Sequence, residues 1–242
     1  MKAMRLSPLS QLEVKLVPLD TDGLATLDRI WLCTRLGELP VADRRESTLW
    51  DRYYDTPTYA LWLRHGYLRL RAEEAPDGRD LITYRRARVA KDDAMSPFEI
   101  VEVTMPFSDL RLVTEVLVHD TGDLSQPRPG AMGPPEVFGS MGLEEILSLR
   151  TRRRRMRIEV LPRKHVNLKL DVTQFEPDSE PYVELEVEIS DPQDIKDLSQ
   201  HVLRGVLEQF GAEKWEASYT SKLEAGLRRL ESRNRDYPSL GA

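Results

Sequence analysis

The sequence predicts an α+β fold: a closed antiparallel β-barrel with a charged interior, flanked by helices. Two observations predict it. Strand-like segments recur along the chain with apolar side chains on one face and charged ones on the other. The charges are dense and of both signs, 35 Lys and Arg against 41 Asp and Glu, and many lie inside those segments rather than between them.

Leu9 to Val17 alternates, with Leu12, Val14 and Leu16 opposite Gln11, Glu13 and Lys15, as the period-two geometry of a strand requires. After a turn at Pro18 to Gly23, Leu24, Leu27, Ile30, Trp31 and Leu36 recur at helical spacing, with Gly37 as the expected helix C-terminal residue. Glu46 to Tyr54 reads as a strand that breaks at Thr56-Pro57, and Tyr67 to Arg71 places Leu68 and Leu70 opposite Arg69 and Arg71. Pro76-Asp77-Gly78 is a turn signal before two further strands, LITYRRARV and FEIVEVTM. Residues 107–119 read as a helix. Residues 120–142, with four prolines and five glycines, are expected to form a mobile loop.

Regular alternation then returns. Met156, Ile158 and Val160 oppose Arg153, Arg155, Arg157 and Glu159; VNLKLDV sets Asn167, Lys169 and Asp171 against Val166, Leu168, Leu170 and Val172. YVELEVEI sets Glu184, Glu186 and Glu188 against Val183, Leu185, Val187 and Ile189. Helices at about 194–209 and 219–230 close the chain. At 242 residues and 40% hydrophobic content, one domain is expected over residues 1–242, with its core from about 9 to 230.

Several function classes are excluded or disfavoured. The formal charge of −6 argues against duplex nucleic acid, which needs many cationic phosphate contacts. There is no long apolar run, and the opening MKAMRLSPLS lacks the apolar core of a signal peptide, so a cytoplasmic protein without membrane spans is expected. Cys33 lies in a helical pattern as a structural thiol, and His65, His119, His165 and His201 are too scattered for a zinc site. No Gly-x-x-x-x-Gly-Lys loop, dinucleotide fingerprint or nucleophile elbow occurs.

A single amphipathic strand is explained by a polar face in water. At least five charged strands are not, because arrays of like charges repel unless opposite charge or ligand lies across from them. A barrel with its charged faces inward sets acids against bases and leaves the apolar faces for the helices to cover. Such a cavity suits a multiply charged linear ligand. Lys and Arg pair with phosphate oxygens, Arg often bidentately, while carboxylates hold a hard cation such as Mg²⁺ or Mn²⁺.

A series of segments in order resembles those of the CYTH superfamily, the triphosphate tunnel metalloenzymes. Gln11-Leu12-Glu13-Val14-Lys15 is similar to the family's opening Glu-x-Glu-x-Lys strand, with an amide at the first acid. YYDTPTYALW with LRLR resembles the family's second and third strands, ITYRR a strand in which a lysine is more usual than Arg85, and LRTRRRRMRIEV its basic strand. LKLDV, YVELEVEI and SYTSKLEAGL resemble its aspartate strand, its Glu-x-Glu strand and its closing Ser-Lys segment.

The resemblance implies an eight-stranded tunnel that hydrolyses a short triphosphate, inorganic tripolyphosphate, thiamine triphosphate or a nucleoside triphosphate, with Mg²⁺ or Mn²⁺. Glu13, Glu184 and Glu186 would hold metal, with Asp171 and Glu102 as further acids. Lys15, Arg69, Arg71, Arg85, Arg153, Arg155 and Lys222 would hold phosphates. Glu13, Lys15, Glu184 and Glu186 are the expected catalytic set. Two alternatives stand beside hydrolysis. A class IV-type adenylate cyclase would use the same contacts but needs a nucleoside pocket, for which Tyr53, Tyr54 and Trp62 are poor candidates. A catalytically weak polyphosphate-binding module would follow from Gln11, which brings no negative charge to the metal.

Overall fold

The computed structural model describes residues 13–19, 21–75, 80–89, 98–106, 110–121, 124–130, 133–162, 164–175, 181–188, 195–218 and 220–233. In chain order these form β1 (Glu13–Pro18), α1 (Gly23–Leu32), β2 (Arg35–Leu36), β3 (Leu39–Asp55), β4 (Tyr67–Glu74), β5 (Leu81–Val89) and β6 (Phe98–Pro106). There follow α2 (Leu110–Thr121), α3 (Pro134–Ser140), β7 (Glu144–Leu161), β8 (Lys164–Phe175), β9 (Tyr182–Glu188), α4 (Ile195–Phe210), β10 (Trp215–Ser218) and α5 (Lys222–Arg233).

Within the described residues every segment with period-two patterning is a strand, and the class is α+β with an antiparallel sheet. Among the described residues there are ten strands, the expected eight and two short additions. The additions, β2 and β10, have two and four residues, too few to register as a periodic pattern. No described helix is long and apolar enough to cross a membrane.

The chain divides into two compact units, one containing the described residues of Trp50–Leu149 and the other those of Ser10–Leu49 and Arg150–Ala242. The long strands β3 and β7 contribute residues to both. In the unit built from the two chain ends, the terminal unit, the strand order is β10-β1-β9-β8-β7-β3. Leu168, Leu170, Leu185, Val187, Met156 and Ile158 form its apolar sheet face, packed with Leu27 and Ile30 of α1 and Val202 and Val206 of α4. Burial of such side chains, each worth about 1.5–3 kcal/mol, ties the helices to the sheet. Gly205 of α4 is needed for close approach: a Cβ there would lie 3.0 Å from the Leu36 carbonyl oxygen.

The first helix is shorter than its apolar spacing suggests. It ends at Leu32, Cys33 is extended, and Leu36, fully buried, belongs to β2. Leu36 pairs with Leu39, so Gly37 and Glu38 make a two-residue hairpin loop, and Gly37 at φ +56° supplies the left-handed residue such a loop needs. Leu36 fits a helical spacing and a strand equally well, and its sheet partner comes later in the chain.

In the unit spanning 50–149, the order is β7-β3-β4-β5-β6. Leu68, Leu70, Ile82 and Tyr84 face Val113 and Leu117 of α2 and Val137 and Phe138 of α3. The 120–142 segment therefore differs from the expected loop: it carries α3, with Pro134 in the first turn, where a missing N–H is harmless, and with Phe138 fully buried. One seven-residue helix among prolines and glycines is too short to show a helical period. Where Thr56-Pro57 interrupts β3, the Asp55 carboxylate accepts hydrogen bonds from the backbone N–H groups of Thr56 (2.7 Å), Leu61 and Trp62 (both 2.8 Å). That buried acid holds the turn together.

Candidate metal and phosphate site

Because β8 and β9 put their apolar residues against α1 and α4, Lys169, Asp171 and Thr173 share the opposite face with Glu184, Glu186 and Glu188. That face is not in water. Asp171 and Glu184 are 0% exposed, Glu186 3% and Lys169 5%. A solvated polar face does not account for carboxylates at this depth, since a buried charge needs partners.

The partners are cations from three elements. Arg153 of β7 donates to Asp171 through Nε (2.9 Å to Oδ1) and Nη2 (2.6 Å to Oδ2). Lys222, at the start of α5, donates to Asp171 Oδ2 (2.8 Å) and also to Glu184. Lys169 of β8 donates to Glu186 (2.5 Å) and lies 3.4 Å from Glu188. Beside them Thr151 and Thr173 share a hydrogen bond of 2.9 Å.

Burial by itself would raise the Asp171 carboxyl, but Arg153 and Lys222 outweigh it and hold the group well below the usual carboxylate range. Glu186 shows the same balance: burial is overcome by Lys169, with help from Arg153 and Lys222, and its pKa is lowered to about 2. Conversely, burial would lower Lys222, yet Asp171 and Glu184 raise it above the ordinary lysine value. Asp171 and Glu186 stay ionised and Lys222 stays charged.

Asp171, Glu184 and Glu186 each offer a carboxylate oxygen within 4.8 Å of the others. Hard oxygen donors at this spacing are the chemistry that Mg²⁺ or Mn²⁺ selects. Glu184 Oε2 is moreover buried without a hydrogen-bond partner, an orphan that a cation would satisfy. The residues fit a divalent cation.

Of the remaining terminal-unit candidates, Lys15 of β1 is partly buried and pairs in register with Glu186 on one side and Ser218 on the other. Glu13 pairs in register with Glu188, its side chain lying outside the described residues, as does all of Gln11. Arg155 is partly buried, and its Nε makes no hydrogen bond.

Arg69, Arg71 and Arg85 collect in the other unit, on the sheet face away from α2. Tyr67 of β4 stands opposite Arg85 of β5, and the guanidiniums of Arg69 and Arg85 lie 5.8 and 5.9 Å from its ring centre. Arg69 also donates to Thr83 Oγ1 (3.1 Å). Tyr53 meets Tyr67 edge-on, ring centres 5.7 Å apart, and burial, with Asp51 next, pushes its hydroxyl up to about 12. Arg71 forms a bidentate pair with Asp51, both bonds 2.7 Å, and Asp51 is fully buried. Two of Arg71's donors are thereby committed to a carboxylate. Glu102 of β6 is in register with Arg85, its side chain lying outside the described residues.

Sequence patterning overlooks three participants. Lys169 shares the face of Asp171 by parity, which was a usable signal. Asp51, a lone acid between Trp50 and Arg52, and Tyr67, an aromatic among arginines, stand out only once their cross-strand partners are known.

Among solved structures the chain is similar to HpAC1 of Hippeastrum, provisionally named an adenylyl cyclase and described as having a dominant triphosphatase activity. The two share 16% identity over 90% of this chain and 96% of that one, with a TM-score of 0.58. A Bacillus halodurans protein, provisionally named an adenylate cyclase, matches at 15% identity over 89% of this chain and 96% of its own, with a TM-score of 0.50. At these identities the likeness is one of fold. No curated protein sequence matches the chain. Residues 32–219 match the CYTH domain, a span that takes in β2 through β10 and with them the buried acids and most of the basic residues described above. The chain belongs to the CYTH domain family.

Proposed function

We propose that this protein is a metal-dependent hydrolase of short triphosphates, acting on inorganic tripolyphosphate first and on thiamine triphosphate or a nucleoside triphosphate next, in the cytoplasm. The observation that carries the reading is the buried set of Asp171, Glu184 and Glu186 interlocked with Arg153, Lys169 and Lys222. A sheet face that invests this many desolvated charges of both signs is matched by a ligand that itself brings an anion and a cation.

Asp171, Glu184 and Glu186, with Glu13, would hold Mg²⁺ or Mn²⁺, which when bound polarises phosphoryl oxygens and lowers the pKa of an attacking water. In the terminal unit Lys15, Arg153, Arg155 and Lys222 would neutralise charge on the phosphoryl oxygens and orient the chain of phosphates; Arg69, Arg71 and Arg85 of the other unit are the further phosphate-binding candidates. Lys222 is suited to that task because its flexible stem lets the ammonium turn from carboxylate to phosphate. Arg153 is less so, its fork being engaged by Asp171.

The dominant triphosphatase activity of HpAC1 supports hydrolysis ahead of cyclisation. Gln11 supports a second reading, a polyphosphate-binding module with weak turnover, because an amide brings no charge to a metal. The deciding experiment measures phosphate release from tripolyphosphate, thiamine triphosphate and ATP with Mg²⁺ or Mn²⁺, and monitors cyclic AMP, beside an E184A/E186A control. Metal-dependent release lost in the control supports the triphosphatase. Tight tripolyphosphate binding with no product supports the binding module, and cyclic AMP supports the cyclase.

A further inference from the structure

Helix α5 lies beyond residues 32–219, the span that matches the CYTH domain, yet it supplies two basic side chains to the charged face of β8 and β9. Lys222 is its first residue, and Ser221 Oγ accepts the Glu224 N–H (3.1 Å) at its start. A cation in the first turn opposes the helix dipole, so Lys222 is held there by Asp171 and Glu184 and not by the helix itself. Arg229 follows about two turns later on the same side of α5. Its guanidinium carbon lies 4.9 Å from the ring centre of Phe175 and 5.9 Å from that of Tyr182, and the two ring centres are 6.1 Å apart. Phe175 is four residues from Asp171 on β8, and Tyr182 is two from Glu184 on β9. Even spacings keep both rings on the face that carries the acids. One side of a single helix thus grips two acids at its start and two rings further along.

We propose that Arg229 is a positioning residue: stacked on Phe175 and Tyr182, it latches α5 along β8 and β9 at the level that brings the Lys222 ammonium to Asp171, Glu184 and the phosphate bound beside them. Leu223 and Leu227 bury the helix, but apolar burial is non-directional and leaves its level along the strands open. A guanidinium over a ring is directional and fixes that level. The neighbouring Arg228 takes no part, being paired with Glu224 on the exposed side. The inference rests on the phosphate-binding reading of Lys222 above and deepens it.

The test is calorimetric titration with tripolyphosphate, without added metal. The proteins compared are wild type, Arg229→Ala, Phe175→Leu, Arg228→Ala, Lys222→Met and the double variant Arg229→Ala/Lys222→Met. Arg229→Ala is expected to weaken tripolyphosphate about fivefold, the scale of two cation–π contacts. Phe175→Leu, which keeps every charge, should weaken it in the same direction, and Arg228→Ala, which removes the same charge from the same helix, should leave it unchanged. The double variant should bind no more weakly than Lys222→Met alone, because the latch acts through that lysine. Wild-type affinity in Arg229→Ala, an equal loss in Arg228→Ala, or additive losses in the double variant overturn the inference. Should Arg229→Ala fail to fold, Phe175→Leu carries the test, and wild-type affinity there overturns the inference as well. Unchanged affinity in Lys222→Met, or no binding by wild type, overturns the phosphate-binding reading of Lys222 itself and this inference with it.

Discussion

Arg153 grips Asp171 side-on, Nε at 2.9 Å from one carboxylate oxygen and Nη2 at 2.6 Å from the other, with the side chains 9% and 0% exposed. Removing one partner of a buried pair leaves the other desolvated and short of charge. Arg153→Met is therefore expected to lower unfolding stability by about 3 kcal/mol, the lower end of that range because Lys222 still reaches Asp171. Arg153→Lys, which keeps the charge but loses the planar fork, should fall between. Urea unfolding checks both. A loss under about 0.5 kcal/mol, the scale of an ordinary surface substitution, would show that the pair contributes nothing.

Acid should unlock the same cluster. The folded pKa of Glu186 is lowered to about 2 from an ordinary 4.5, and that of Asp171 is also depressed. A depressed carboxylate contributes stability that is full above its unfolded pKa and is lost as pH falls through the folded one. The Glu186 contribution, about 3 kcal/mol, should thus be present at pH 6 and drain away between roughly pH 4.5 and 2. Urea unfolding across that range should show a steep decline in wild type and a shallower one in Glu186→Gln. Parallel curves would remove Glu186 from the account.

Tyr67 lies within cation–π reach of both Arg69 and Arg85 and is expected to hold their guanidiniums for phosphate. Tyr67→Phe keeps the ring and should leave tripolyphosphate affinity unchanged. Tyr67→Leu should weaken it about fivefold, two contacts of roughly 0.5 kcal/mol each. Calorimetric titration with tripolyphosphate separates the cases, and equal effects in the two variants would assign the role to the hydroxyl.

Phe138 measures whether α3 belongs to the core. Its ring is fully buried, edge-on to Tyr54 with ring centres 5.3 Å apart. Phe138→Ala is expected to cost about 3–5 kcal/mol through lost burial and the cavity left behind. Thermal unfolding reads the change directly, and a near-neutral result would return the segment to the status of a surface loop.

Alternation made the strands legible in the sequence, because the two faces of a strand follow from backbone geometry that each residue shares with its immediate neighbours. On that ground Arg153, Asp171, Glu184 and Glu186 were assigned to one kind of face before any contact was known, and all four lie on the charged face of the terminal unit. The shortest elements escaped: β2, β10 and α3 each span at most about two periods, too few for a repeat to stand out.

The pairing of charges was not legible. Parity says that Lys169 and Glu186 share a face type but not that they touch, and nothing local says that Lys222 bridges Asp171 and Glu184. Those partners are 17, 51 and 38 residues apart in the chain. Cross-strand register and the docking of α5 bring them together. Local covalent geometry dictates which way a side chain points, whereas its partner is chosen by the packing of distant apolar faces, which sets the register that every ion pair here inherits.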